Sequence, residues 1–345
     1  MLIIIIPIIL INRVKLAHLP LYLSNTKYTD IIDAMFEVQY TGSEAKNTLN
    51  YLKEKKKIND NTDDYILKLY DKGYNKNTID YLIRNLNKSQ ITDFLDKKYS
   101  KDFEEYIKLD LFKYSKYNRY LKYQEKHKDL SLEDVVIRIE LNMDKTYYED
   151  SEFIKNPDEI TTLANKYYEI PEDYEPKDLV DMEDDYANNM YGTLTLRKEA
   201  YEKFKEMCNA SRKDGVKFYA ESAYRGYNYQ NIIYKNYIDE NGQEKADKYA
   251  ARPGFSEHEL GLALDLANIW TITTKGEEYK WLTKNAYKYG YIIRYKKEWE
   301  DITGYSAESW HIRYVGVKAA SVIQKENITY EEYYAKYILT KKSSK

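Results

Sequence analysis

The chain has 345 residues, 43% hydrophobic and 32% charged, with 54 basic against 57 acidic side chains and a formal net charge of -3. That is long enough for two domains with buried cores, too charged for a multi-span membrane protein, and too evenly interleaved in sign for a polyanion-binding surface, so nucleic acid is not an expected partner. The single cysteine, Cys208, excludes an internal disulfide framework and a multi-cysteine zinc site, and its helix-like neighbourhood EKFKEMCNASRKDG makes it a small buried side chain.

Residues 1–12, MLIIIIPIILIN, form an apolar N-terminal segment. At about 1.5 Å rise per residue it is too short to cross a hydrocarbon core of about 30 Å as a helix. Its length suits the apolar part of a signal peptide, yet the basic residues Arg13 and Lys15 follow it instead of preceding it. It reads as an incomplete signal or membrane anchor, or else as a buried first strand.

Residues 13–155 are expected to be an all-α module of short helical hairpins. Apolar-periodic segments end in an aromatic, a capping residue follows and a new segment starts, in IIDAMFEVQYTGSEAKNTLNYL, YILKLYDKGYNKNTIDYLI and ITDFLDKKYSKDFEEYI. Thr41 with Glu44 has capping-box spacing, and Asn75 and Ser100 are the corresponding caps. The spacings are irregular, which argues against a regular solenoid, and the many tyrosines recur as packing residues. Nothing in the module indicates its partner.

Pro157, Pro171 and Pro176 mark a connector. Beyond residue 190 lie ten of the twelve glycines and all four tryptophans. Here LRKEAYEKFKEMCNASRKDG is an amphipathic helix closed by Gly215, VKFYAESAYRG alternates as a strand, and NYQNIIYKNYIDENGQEKADKYA is a helix interrupted near Asn241 and Gly242. GLALDLAN and WHIRYVG read as strands with a helix, TKGEEYKWLTKNAYKYG, between them. Residues 156–345 are therefore α+β.

Of four histidines, His18 and His127 sit in apolar and charged surroundings that need no chemistry. His258, in GFSEHELGLALDL, and His311, in AESWHIRYVG, do not. HELGL is not the helical zinc motif H-E-x-x-H, because its fifth position is Leu262. His258, Asp265 and His311 can instead be ligands of one ion. Zinc holds imidazole and carboxylate donors at about 2.0–2.2 Å, whereas seven extended residues span about 23 Å, so the chain must reverse between His258 and Asp265, and Gly261 allows it. Asp265 lies between Leu264 and Leu266, and a carboxylate near a core needs a positive partner, which a divalent ion supplies. The other reading is an aspartate facing water on an edge strand. Two histidines and an aspartate leave a fourth tetrahedral position open, as catalytic sites do. Glu308, three residues before His311, can move a proton between water and a leaving amine, and Arg225 is the candidate donor to a developing oxyanion.

SEHELGLALD (Ser256 to Asp265) with ESWHIRYVG (Glu308 to Gly316) resembles the paired signature S-x-H-x-x-G-x-A-x-D and E-x-W-H of the VanY-like zinc carboxypeptidases, which trim D-alanine from bacterial cell-wall stem peptides. SAYRGYNYQNIIY resembles the family's S-x-Y-R-S-Y-x-x-Q segment, with Gly226 where serine is usual. The resemblance covers about residues 160–335. It implies a C-terminal zinc-peptidase domain with a small antiparallel sheet flanked by helices, and a zinc ion held by His258, Asp265 and His311. It makes Glu308 the catalytic acid/base, with Arg225 polarising the scissile carbonyl or gripping the substrate, and assigns substrate contacts to Ser222, Tyr224, Gln230 and Ser256. Glu257 and Glu259 are either behind the ligands or solvated, and Trp310 packs beneath the metal loop. The expected activity is D,D- or L,D-carboxypeptidase action on peptidoglycan stem peptides at a bacterial cell surface, with membrane attachment through the N-terminus. The alternatives are a peptidoglycan endopeptidase of the phage-lysin type, or a wall-binding scaffold with no turnover.

Overall fold

The computed structural model describes residues 26–190, 192–266 and 273–340. The apolar segment 1–12, His18 and Trp270 lie outside the described residues. Among the described residues no helix is long and apolar enough to cross a membrane. The chain forms two compact units, Met1–Glu133 and Asp134–Lys345.

The first unit is helical: α1 (Thr26–Glu37), α2 (Gly42–Glu54), α3 (Thr62–Asp71), α4 (Lys76–Asn85), α5 (Lys88–Leu95), α6 (Lys101–Tyr106) and α7 (Tyr117–Lys126). Short helices in water need caps and a buried stripe, and both are present. Thr41 and Glu44 form a capping box, Asn75 accepts from the backbone N–H groups of Asn77 and Thr78, and Ser100 accepts from that of Phe103. A second box, Asn87 with Gln90, starts α5 and was not anticipated. Helix α1 packs on α2 and α3, and α4 on α2 and α3, burying Ile31, Met35, Leu49, Leu52, Ile66, Leu69, Ile79 and Leu82. Phe103 then centres an aromatic cluster, with ring centroids 4.6 Å from Phe94 and 5.1 Å from Tyr117. Its tyrosines are packing residues, as their periodicity indicates.

The boundary between the units falls inside α8 (Leu132–Glu140). The stretch 134–155, which composition groups with the helical module, is tied to the second unit. There β1 (Glu152–Phe153) runs parallel to β2 (Tyr168–Glu169), and the Tyr148 N–H donates to the Lys166 carbonyl at 3.0 Å. β3 (Leu179–Asp181) and β4 (Thr195–Arg197) then form a small antiparallel pair leading into α9 (Lys198–Lys213).

The central sheet is β5 (Ala220–Ser222), β6 (Ala263–Leu266), β7 (Tyr291–Tyr295) and β8 (Glu308–Tyr314), in the order β5-β6-β8-β7, antiparallel throughout. Between β5 and β6 come α10 (Tyr227–Asn241) and α11 (Gln243–Tyr249), separated at Gly242; α12 (Glu277–Asn285) precedes β7, and α13 (Glu300–Thr303), α14 (Val317–Glu326) and α15 (Tyr330–Tyr333) follow it. Side chains alternate across a strand. Leu264, Leu266, Ile312, Tyr314, Tyr291 and Ile293 join one core with Ala200, Phe204, Met207 and Cys208 of α9, so Asp265 and His311, one residue out of phase, share the other face. Burial pushes the Cys208 thiol up to about 12, which makes it inert. The helices match their sequence signals. The strand in VKFYAESAYRG is only three residues long, and β7 was not anticipated, because YIIRY is a short apolar run that periodicity alone does not assign.

Candidate active site

The loop before β6 is built by its own sequence. Ser256 caps a 3-10 turn over Glu257–Leu260: its Oγ accepts from the His258 N–H, and the Glu259 carboxylate accepts from the backbone of Ser256 and Gly254. Gly261 ends the turn at φ +62°, and a Cβ there would meet Arg197 and Leu179 side-chain carbons at 3.0 Å. A residue free in the left-handed region and without a side chain is required. The turn buries Glu257, His258 and Glu259 together, so neither glutamate is solvated.

β6 is a central strand of the sheet, which removes the reading of Asp265 as a water-facing edge residue. In the register of β6 on β8, Asp265 stands opposite His311. The Asp265 carboxylate lies 3.4 Å from His258 Nε2 through Oδ2 and 3.3 Å from His311 Nδ1 through Oδ1. One donor atom from each of the three residues lies within 4.8 Å of the others, and the two imidazole rings are nearly perpendicular, at 88°. Tetrahedral zinc with bonds of about 2.0–2.1 Å sets neighbouring donors about 3.4 Å apart. The three residues therefore fit such an ion.

The hydrogen bonding of His258 fits as well. His258 Nδ1 is 2.7 Å from the Ala223 carbonyl, which fixes the proton there and turns the Nε2 lone pair, otherwise without a partner among the described residues, toward Asp265. Burial, reinforced by Arg225, lowers the His258 imidazole to about 4. Burial opposes ionisation of Asp265, but His258, His311 and Arg225 hold it well below the usual carboxylate range. His311 is also lowered by burial, yet Asp265, Glu257 and Glu308 outweigh that and carry it to about 9. A buried group of carboxylates around imidazoles calls for positive charge.

Glu308 begins β8 and its Oε2 lies 3.5 Å from His311 Nδ1. Burial raises its carboxyl to about 7, with Asp265 adding and His311 and Arg225 opposing. Arg225, two residues before α10, holds Nη1 3.6 Å from Asp265 Oδ2, and its backbone N–H donates to the His258 carbonyl at 3.3 Å. These groups line a cleft of about 230 Å³ that Gln230, Ser256, Trp310 and Tyr295 also border.

All five expected metal and catalytic residues thus meet at one point. Of the expected substrate contacts, Ser256 and Gln230 line the cleft. Ser222 and Tyr224 are not among its lining residues. Ser222, on β5, pairs with Asp265 of β6, and the Tyr224 N–H donates to the Thr195 carbonyl. The Tyr224 hydroxyl lies 3.1 Å from where a Cβ on Gly226 would sit. Trp310 both packs on the core and borders the cleft. Sequence reading missed Tyr295, whose ring centroid is 4.9 Å from that of His311, because β7 itself went unrecognised.

A three-donor cluster with an adjacent half-buried carboxylate and an arginine, lining a cleft beside an antiparallel sheet, defines a hydrolase site of the metallopeptidase type. Residues 193–317 match the family model for VanY, D-alanyl-D-alanine carboxypeptidase. The chain is 42% identical over 211 residues to a putative carboxypeptidase, YodJ, of Bacillus subtilis, covering 57% of this chain and 77% of that one. It is 36% identical over 177 residues to a D-alanyl-D-alanine carboxypeptidase of Enterococcus faecium, covering 50% and 56%. The solved LdcB LD-carboxypeptidase superimposes with a TM-score of 0.51 at 42% identity, over 55% of this chain and 92% of that one. The chain belongs to the VanY carboxypeptidase family.

Proposed function

We propose that the protein is a zinc-dependent carboxypeptidase that removes a terminal D-alanine from peptidoglycan stem peptides. The observation that carries this reading is the donor triangle of His258 Nε2, Asp265 and His311 Nδ1 with Glu308 beside it. A zinc ion held there supplies the Lewis acidity that lets water attack a peptide carbonyl near neutral pH. Glu308 takes the proton from that water and delivers it to the departing amine, a role that suits a half-buried carboxyl raised to about 7. Arg225 places a fixed positive charge at the rim of the triangle, where the carbonyl oxygen gains negative charge. Gln230 donates its amide to the Ala251 carbonyl at 2.8 Å, which leaves Oε1, without a partner among the described residues, to accept a peptide N–H.

The test is Glu308→Gln. Release of D-alanine from a synthetic stem peptide should fall by about 10²–10⁴ while zinc stays at one ion per chain by elemental analysis. A variant of unchanged rate, or wild-type protein that takes up no zinc, refutes the reading. Product masses set its limits: pentapeptide and tetrapeptide substrates separate D,D from L,D action, and release of fragments larger than one alanine marks an endopeptidase. Stem peptides lie outside the cytoplasmic membrane, so the same reading puts the protein at a bacterial cell surface. Recovery in the cytosolic fraction argues against that.

A further inference from the structure

His311 has two ring nitrogens, and only Nδ1 faces Asp265 and Glu308. Nε2 is buried without a hydrogen-bond partner among the described residues, and so is Glu257 Oε2, which lies 3.5 Å from it. A buried polar atom left unpaired is destabilising. One proton on Nε2, shared with Glu257, satisfies both atoms and leaves Nδ1 as the lone-pair nitrogen, the tautomer a ligand needs.

Glu257 is itself held. Its Oε1 accepts from Arg294 Nε at 2.9 Å, with Arg313 Nη1 at 3.7 Å. Arg294 makes a bidentate pair with Glu331 at 2.9 and 2.6 Å, and Asn165 donates to the same carboxylate at 3.3 Å. Arg313 donates to the Thr162 and Tyr314 carbonyls at 2.9 and 3.0 Å. All five side chains are at most 3% exposed. A buried ion-pair network of this kind adds little stability over apolar packing; what it does provide is fixed geometry.

We propose that Glu257 is a positioning residue for the metal site: it holds the His311 ring in its ligating tautomer and plane, and Arg294 with Glu331 holds Glu257. The inference rests on the ligand set proposed above. It also enlarges the working unit, because Glu331 on α15 lies after residue 317 and Asn165 before residue 193, both outside the span that matches the family model.

The experiment uses the full-length chain and zinc alone, in competition with a chromophoric chelator. Glu257→Ala should weaken zinc binding about 10–100-fold and shift the absorption bands of the cobalt-substituted protein. Glu257→Gln, which keeps an acceptor, should recover part of that loss. Glu331→Gln, remote from the ion, should weaken binding by a smaller factor, and its effect should not add fully to that of Glu257→Ala. Unchanged zinc affinity in Glu257→Ala overturns the proposal. If the variants do not fold, nitrogen NMR of zinc-loaded wild type decides: a proton on His311 Nε2 is expected, and ligation through Nε2 overturns it. Wild type that binds no zinc refutes the function proposed above, whereas zinc-binding wild type with indifferent variants refutes only the role of Glu257.

Discussion

Among the described residues the helical unit buries three polar side chains, Thr48, Thr62 and Thr78, each hydrogen-bonded, to Asp80, Asn59 and Asn75. The mixed unit buries Glu140, Lys166, Glu257, His258, Glu259, Asp265, Arg294, His311, Arg313 and Glu331, and Glu257, His258, Asp265, Arg294, His311, Arg313 and Glu331 form one connected cluster. Burying charge is unfavourable unless it is paired, so a unit built for stability alone would resemble the first. In the second, burial raises the Glu308 carboxyl and lowers the His258 imidazole, while the carboxylates around His311 outweigh its burial and raise it. The difference separates a packing module from a chemical one within a single chain.

Asp265→Ala tests the contrast most severely. It removes the carboxylate that approaches both histidines, so zinc and D-alanine release should both be lost, while the circular dichroism of the helical unit is retained. Next, Phe103→Ala, at the centre of the aromatic cluster, should destabilise the helical unit by about 3–5 kcal/mol and leave turnover of a soluble peptide unchanged; a loss of turnover would break the separation. Chelation should act in the opposite sense. Removing zinc from a level a hundred times its dissociation constant withdraws about 2.7 kcal/mol from the mixed unit, and tryptophan fluorescence reports that unit alone because all four tryptophans lie beyond Asp134.

The smallest effect concerns a cap. Thr41→Ala should destabilise α2 by about 1 kcal/mol. Glu44, its partner in the box, is lowered to about 2 by Lys76 and by the Thr41 backbone. A carboxylate lowered on folding stabilises fully above its unfolded value of 4.5 and loses that contribution as pH falls toward about 2. Acid titration of the helical unit should show a slight loss in that window, absent in Glu44→Gln.

Much was legible in the residues because it is local. Capping boxes occupy four residues, the buried stripe of α9 repeats every three or four, and a Gly261 turn between His258 and Asp265 is demanded by the reach of the chain. The paired motifs then pointed to His258, Asp265, His311 and Glu308. What the linear order left open is set by pairings between distant segments. The register of β6 on β8 places Asp265 opposite His311 and excludes an edge strand. The direction of β5 and the start of α10 bring Arg225 and Gln230 to the cleft but not Ser222 or Tyr224. Glu257 is buried only because Arg294 of β7 and Arg313 of β8 arrive from distant segments to neutralise it. Periodicity and spacing report what one element does by itself; which face meets which, and which nitrogen of His311 faces Asp265, follow from packing those elements together.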